Sequence, residues 1–201
     1  MLSLNTIEYK ELFNGDIMVI DITLNVTPEM MNAASNNLKL SLVGHIGTHF
    51  DVMDKEFPLE YTKRKGVIFD VSNIGDRDIL ISDIELNKVS KDMFVLFYSG
   101  FIEKDEYGTK NYFLNHPQLS NELIYELINR EVSLIGIDFA GVRRGNEHTP
   151  MDQYCADNGV FIIENLCNLD KLLECENMMV NTYPMRFAEV TGLPCRVIVE
   201  V

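Results

Sequence analysis

The sequence predicts one α/β domain over residues 1–201: β-rich, with a mixed sheet and helices packed on one side. Three observations predict it. Short apolar, β-branched runs bounded by Gly, Pro, Asn and Asp recur along the chain and outnumber the helical patterns. Between residues 120 and 140 a helix-period segment runs into a buried-strand segment, the alternation from which α/β layers are built. No repeat, low-complexity tract or Pro/Ser-rich linker divides the 201 residues.

Each element follows in order. DIMVIDITL (16–24) reads as a strand, and after Pro28 and a polar stretch LKLSLVG (38–44) reads as another that delivers the chain to His45. GVIFDVS (66–72) is a third strand. SDIE (82–85) has the Ser-x-x-Glu form of a capping box and is expected to open a short helix. MFVLFYS (93–99), ending at Gly100, is a buried strand. Ser120 is placed to cap a helix over NELIYELINRE, where Leu123 and Leu127, Ile124 and Ile128 form an apolar face at i, i+4 spacing. VSLIGIDFA (132–140) follows as a buried strand. TPMDQYCADNG (149–159) reads as a helix with Thr149 as its cap, Pro150 at the first position and Gly159 after its end. GVFIIENL and PCRVIVEV are the last two strands.

At 46% hydrophobic and 24% charged residues, the composition is that of a soluble globular protein. Seventeen basic and 31 acidic residues give a net charge of −14. That field repels nucleic acid and anionic membranes, and no basic stripe offsets it, so the expected partner is a small-molecule substrate. Cys155, Cys167, Cys175 and Cys195 form no CxxC pair and are expected to be reduced. The N-terminal MLSLNTIEYKELFNGD is acidic and interrupted, unlike a signal peptide, and no window reaches the roughly 18 apolar residues of a membrane span. The expected location is cytoplasmic.

The chemistry concentrates in HIGTHFD, residues 45–51. His45, His49 and Asp51 share parity, yet on a straight strand at about 3.3 Å per residue the two histidines would stand roughly 13 Å apart. One ion needs ligand atoms at about 2.1 Å, so the backbone must curl, and Gly47 allows it. A zincin helix is excluded by Ile46 and by the poor helix formers Gly47 and Thr48. Two imidazoles and a carboxylate suit zinc, manganese or iron and leave positions open for water and substrate. The alternative is a polar loop at a strand end. Spacing alone leaves both readings open.

HIGTHFD also resembles the first half of the signature HxGTHxDxPxH of the metal-dependent cyclase family, the kynurenine formamidase and isatin hydrolase type. Further segments resemble that family in the same order over nearly the whole chain: VIDITLNVTPEM its opening strand and proline segment, FYSGF its Thr-Gly-Trp stretch, IGIDFAGV its Gly-Ile-Asp motif. NGVFIIENLCNLDKL is similar to its Glu-Asn-Leu motif, and TGLPCRVIVEV to its closing Gly-x-Pro-x-Arg. The resemblance implies a swivelling β/β/α fold, dimers or tetramers, and hydrolysis of an amide, lactam or ester bond by metal-activated water. It implies His45, His49 and Asp51 as the ligands of one divalent ion, zinc or manganese.

Two positions depart from the family. Lys55 stands where the signature has its last histidine, behind Met53 in place of the proline. Asp152 stands twelve residues before Glu164, where the family has a histidine. A protonated ammonium is no metal ligand, and carboxylates beside it keep it charged. Lys55 is therefore expected to replace a second metal by pairing with Asp152 or Glu164 across a mononuclear site.

Other residues have competing readings. His148, four residues before Asp152, is either a general acid or base or an exposed loop residue. Arg143 and Arg144 either clamp a substrate carboxylate or are solvated. Thr48 supports the metal loop and His116 is structural. Tyr154 and Cys155 line the pocket or pack the core; Met30 and Met31 form a substrate wall or fill gaps.

The leading expectation is a hydrolase in which His45, His49 and Asp51 hold the ion. Glu164, Asp152 or His148 would move the proton, and Lys55 would balance charge or bind the developing oxyanion. The competing one is a metal-binding module that has lost catalysis and serves in ligand binding or interaction.

Overall fold

The computed structural model describes residues 17–35, 37 and 43–201. Among the described residues eight strands are present: β1 (Val19–Asp21), β2 (His49–Asp51), β3 (Lys63–Asp70), β4 (Phe94–Tyr98), β5 (Leu134–Ile137), β6 (Phe161–Glu164), β7 (Met179–Pro184) and β8 (Gly192–Glu200). β3, β4, β5 and β6 run parallel, and β6–β2–β8–β7–β3 pair antiparallel, so seven strands close on themselves. β1 adds to β8 beside this ring. Closure depends on the length of β8. Its residues 192–194 pair with β2, and its residues 195–200 pair with β7.

Strand periodicity divides the core into two. Phe94 and Leu96, Leu134, Phe161 and Ile163, Phe50, Val180, and Val197 and Val199 meet inside the ring. The alternate residues Val95 and Phe97, Ile135 and Ile137, and Ile162 face outward. Helix α4 (Asn121–Asn129) covers them with Leu123, Ile124 and Leu127, and helix α5 (His148–Asp157) with Met151 and Cys155. The predicted i, i+4 face of α4 is thus the buried one, and Ser120 Oγ accepts from Leu123 N at 3.2 Å as its cap. Short helices α1 (Pro28–Ala34), α2 (Phe101–Lys104) and α3 (Lys110–Asn115) are the other α-helices among the described residues; α2 and α3 bring a separate aromatic cluster around Tyr107 and Tyr112.

Several expectations are corrected. The 82–85 capping box opens no α-helix: two 3-10 turns lie at Ile81–Asp83 and Leu86–Lys88. The cap is Asp83, not Ser82. Its carboxylate accepts from Leu80 N at 2.7 Å and is gripped by Arg77 at 2.6 and 2.7 Å, and the chain turns extended at Ile84. α5 begins at His148 after a 3-10 turn at Gly145–Glu147, so Thr149 lies inside the helix and caps nothing. β7 escaped prediction because it carries buried Asn181 and Thr182 in place of an apolar run. The expected strand over residues 38–44 lies outside the described residues up to position 42, and residues 43 and 44 form a bend. Among the described residues no helix is long and apolar enough to cross a membrane. All four cysteines are free thiols.

Candidate metal centre

The site lies on the outward side of β2, against the end of β6 and the first turns of α5. Strand parity sends Phe50 into the ring and His49 and Asp51 outward. The register sets His49 opposite Glu164, which delivers that carboxylate to the imidazole: His49 Nε2 and Glu164 Oε2 are 3.6 Å apart.

His45 joins them because the chain curls, as the spacing required. Gly47 sits at φ +65°, where a Cβ would meet Val26 Cγ2 at 2.5 Å, so both its conformation and its neighbour require glycine. The curl brings His45 Nδ1 to 3.1 Å from His49 Nε2 and to 3.1 Å from Asp51 Oδ1. His49 Nε2 lies 3.6 Å from the same oxygen. One ligand atom from each residue falls within 4.8 Å of the others, a set that could hold a metal ion.

The histidine rings are fixed by their other nitrogens. His49 Nδ1 is 2.8 Å from the Gly47 carbonyl, which can only accept, so Nδ1 carries the proton and Nε2 presents its lone pair. His45 Nε2 is 2.8 Å from Thr191 Oγ1, leaving Nδ1 toward the cluster. A third imidazole arrives from α5. His148 Nδ1 donates to the Arg143 carbonyl at 3.1 Å, and its Nε2 points to Asp152 Oδ2 at 3.4 Å and Glu164 Oε1 at 4.0 Å. Gly141 makes room for that ring: a Cβ there would stand 2.2 Å from His148 Nδ1.

Three carboxylates are buried here, Asp51, Asp152 and Glu164. Asp51 Oδ2, Asp152 Oδ1 and Glu164 Oε1 accept no hydrogen bond. Burial raises the pKa of Asp51, but the adjacent His49 and His45 outweigh it and hold the carboxyl below the usual range. Burial lifts Asp152 and Glu164 well above theirs, and the neighbouring Asp51 adds to both, as Asp152 does for Glu164. Buried carboxylate oxygens without hydrogen-bond donors, facing imidazole nitrogens, are what a divalent cation satisfies, so this donor set fits one.

Lys55 is not part of the cluster. The expected ion pair with Asp152 or Glu164 does not form. Its ammonium lies 2.6 Å from Asp157 Oδ1 and 3.1 Å from Asp54 Oδ1, on the far end of α5, where the side chain is partly exposed. Asp157 lies more than a helical turn beyond Asp152, and a surface pair avoids burying the ammonium beside the site. Arg143 is likewise no substrate clamp. Glu147 takes its Nε and Nη2 at 2.8 and 2.5 Å, and Asp78 and the Leu119 carbonyl take Nη1 at 2.6 and 2.8 Å. The Arg144 backbone N–H donates to Gln118 Oε1.

His116 is buried and stacked on Phe139, a structural residue. Cys155 is core, Tyr154 is exposed against Tyr125, Met31 is exposed, and Met30 packs on the aromatic cluster. Thr48 supports the loop, donating to the Asn165 carbonyl at 2.7 Å and accepting from Leu24 N at 2.8 Å. Sequence reasoning missed Thr191, Asn165 and Tyr107, which hold the loop. Only the position of Asn165 beside Glu164 could have signalled one of them.

Residues 20–143, more than half of the chain, match the Cyclase family model, described as "Putative cyclase". No curated protein matches the sequence. Isatin hydrolase A from Labrenzia aggregata, bound to benzyl benzoate, is 19% identical, with 92% of this chain and 94% of that one covered and a TM-score of 0.72. Isatin hydrolase A from Ralstonia solanacearum is 18% identical, with 92% of each chain covered and a TM-score of 0.73. A predicted metal-dependent hydrolase from Bacillus stearothermophilus is 21% identical, covering 92% and 99%, with a TM-score of 0.69. These solved structures share the fold, and the matched sequence model extends through the HIGTHFD loop: the chain belongs to the Cyclase family.

Proposed function

We propose that this protein is a metal-dependent hydrolase that opens a C–N bond (amide, formamide or lactam) or a cyclic ester bond of a small molecule. The observation that carries the reading is the convergence of His45 Nδ1, His49 Nε2 and Asp51. Those three would hold a divalent ion, zinc or manganese. When bound, the ion supplies a Lewis acid that polarises a carbonyl and makes water acidic near neutral pH.

The chain's own residues then handle protons. Burial and Asp51 raise the pKa of Glu164 and of Asp152 and so favour their protonated forms, which suits groups that take up and return a proton. His148 Nε2 lies within 4.0 Å of both, so a proton leaving the water can pass to this group and return to the departing nitrogen or oxygen. The resemblance of the fold to isatin hydrolases supports a small cyclic amide as the first substrate class to try. Lys55 is left out of the mechanism, since its ammonium is committed to Asp157 and Asp54.

The test is metal analysis of the purified protein, followed by turnover of formamides, cyclic imides and lactones with zinc or manganese supplied. Bound metal and turnover, both lost in His49→Ala, support the hydrolase. Stoichiometric metal without turnover on any class favours the metal-binding module, and failure to bind either ion refutes the centre.

A further inference from the structure

We infer that Asn165 is a positioning residue, one whose side-chain amide selects the nitrogen that His49 offers to the metal centre. The inference rests on the metal-centre reading above and concerns a residue outside the ligand set.

Asn165 follows Glu164 at the end of β6 and is buried, with a backbone φ of +58°, a conformation Asn tolerates better than most residues. Its amide has one possible orientation. The Tyr112 hydroxyl is 2.7 Å from Oδ1; with this phenol buried and its pKa raised by that burial, it stays protonated and donates. The Gly47 carbonyl, 2.9 Å away on the other side, can only accept, so Nδ2 faces it and donates, and Oδ1 faces Tyr112. That carbonyl is the acceptor for His49 Nδ1 at 2.8 Å. One carbonyl thus receives two donors, and its direction sets which imidazole nitrogen carries the proton.

The opposite end of the same glycine is held by the same aromatic cluster. Gly47 N donates to the Tyr107 hydroxyl at 2.8 Å, and Tyr107 packs edge-on against Tyr112 with ring centroids 5.5 Å apart. A glycine is the residue whose peptide groups turn most easily, and this one is restrained at both its N–H and its carbonyl. Asn165 supplies the restraint on the side that His49 reads. Without the amide, the carbonyl loses a donor and can rotate, and His49 loses the partner that keeps the proton on Nδ1. The ring then divides between tautomers, and the fraction with a free Nε2 lone pair falls.

The test uses the full chain with two variants. Asn165→Gly keeps the positive φ but removes the amide; Tyr112→Phe keeps the amide but removes the hydroxyl that anchors its Oδ1. The first readout is the affinity for zinc and for manganese by titration calorimetry. Loss of the amide that holds the partner of His49 is expected to weaken binding roughly 10- to 100-fold in Asn165→Gly, and by less in Tyr112→Phe. The second readout is the ¹⁵N spectrum of the His49 ring in metal-free protein. Wild type is expected to show a single Nδ1-protonated tautomer, and both variants a mixture.

A merely structural role would lower the melting temperature and leave the tautomer and the affinity unchanged, and that result overturns the inference. If Asn165→Gly does not fold, Tyr112→Phe decides by the same two readouts. If wild type binds neither ion, the metal-centre reading fails, while the tautomer spectrum still decides whether Asn165 sets the ring.

Discussion

His116 gives the chain a pH-dependent term in stability that can be isolated. The residue is 1% exposed, its ring stacks on Phe139 at 5.7 Å between centroids, and Nδ1 donates to the Pro117 carbonyl at 2.7 Å. Burial disfavours the imidazolium; the Pro117 carbonyl opposes this in part, and Arg144 and His148 reinforce it. The pKa falls from 6.5 to about 4. In the unfolded chain the imidazole titrates near its ordinary value, so between these limits the unfolded state binds more protons. The stabilisation is fully present above 6.5 and is lost as pH falls through the window toward 4. At about 1.4 kcal/mol per pH unit the whole window is worth about 3 kcal/mol.

The raw curve understates this. Burial raises Asp138 to about 6, against the hydrogen bonds from Ser99 and Gly100 that favour its ionised form. Its contribution has the opposite sign: present at low pH and lost as pH rises through 6. A difference measurement removes it. Urea unfolding of the wild type and of His116→Asn, which keeps a donor near Nδ1, is compared across the window. The difference is expected to be constant above 6.5 and to shrink by about 3 kcal/mol on approaching 4. A difference that stays constant throughout, or grows as pH falls, refutes the reasoning.

Three further outcomes are expected. Gly141→Ala places a Cβ 2.2 Å from His148 Nδ1 at a backbone φ of +112°, so the ring must leave its seat; turnover should fall about 100-fold while metal stoichiometry is kept, and unchanged turnover would remove His148 from the mechanism. Ser120→Ala deletes the cap of α4 and should lower unfolding free energy by about 1 kcal/mol in urea titration without altering the circular dichroism of the folded state. Lys55→Ala should leave metal stoichiometry and turnover at wild-type levels in the same assays, because its partners are Asp157 and Asp54; a loss of turnover would return Lys55 to the site.

Strands β1, β3, β4, β5, β6 and β8 and helix α4 were legible because each combines a local pattern with a buried face, and the pattern survives without knowing the partner. Two failures share a cause. The 3-10 turn at Ile81–Asp83 is held by Arg77 reaching Asp83, and β7 depends on neighbours that bury Asn181 and Thr182. In both, the deciding contact is between residues whose order in the chain does not announce it.

The sequence by itself brought out the three candidate ligands and the bend they demand, because His45, His49 and Asp51, within seven residues, can meet only if Gly47 turns the backbone. It also placed Asp152 and His148 one helical turn apart, since that spacing is local to α5. What only the tertiary structure decided is the charge around that loop. The register of β2 on β6 brought Glu164 to His49. The surface acids Asp157 and Asp54 drew Lys55 away from the place the departures had suggested for it. Coordination geometry is written in short spacings, whereas the partner of a long flexible cation is set by distances through space.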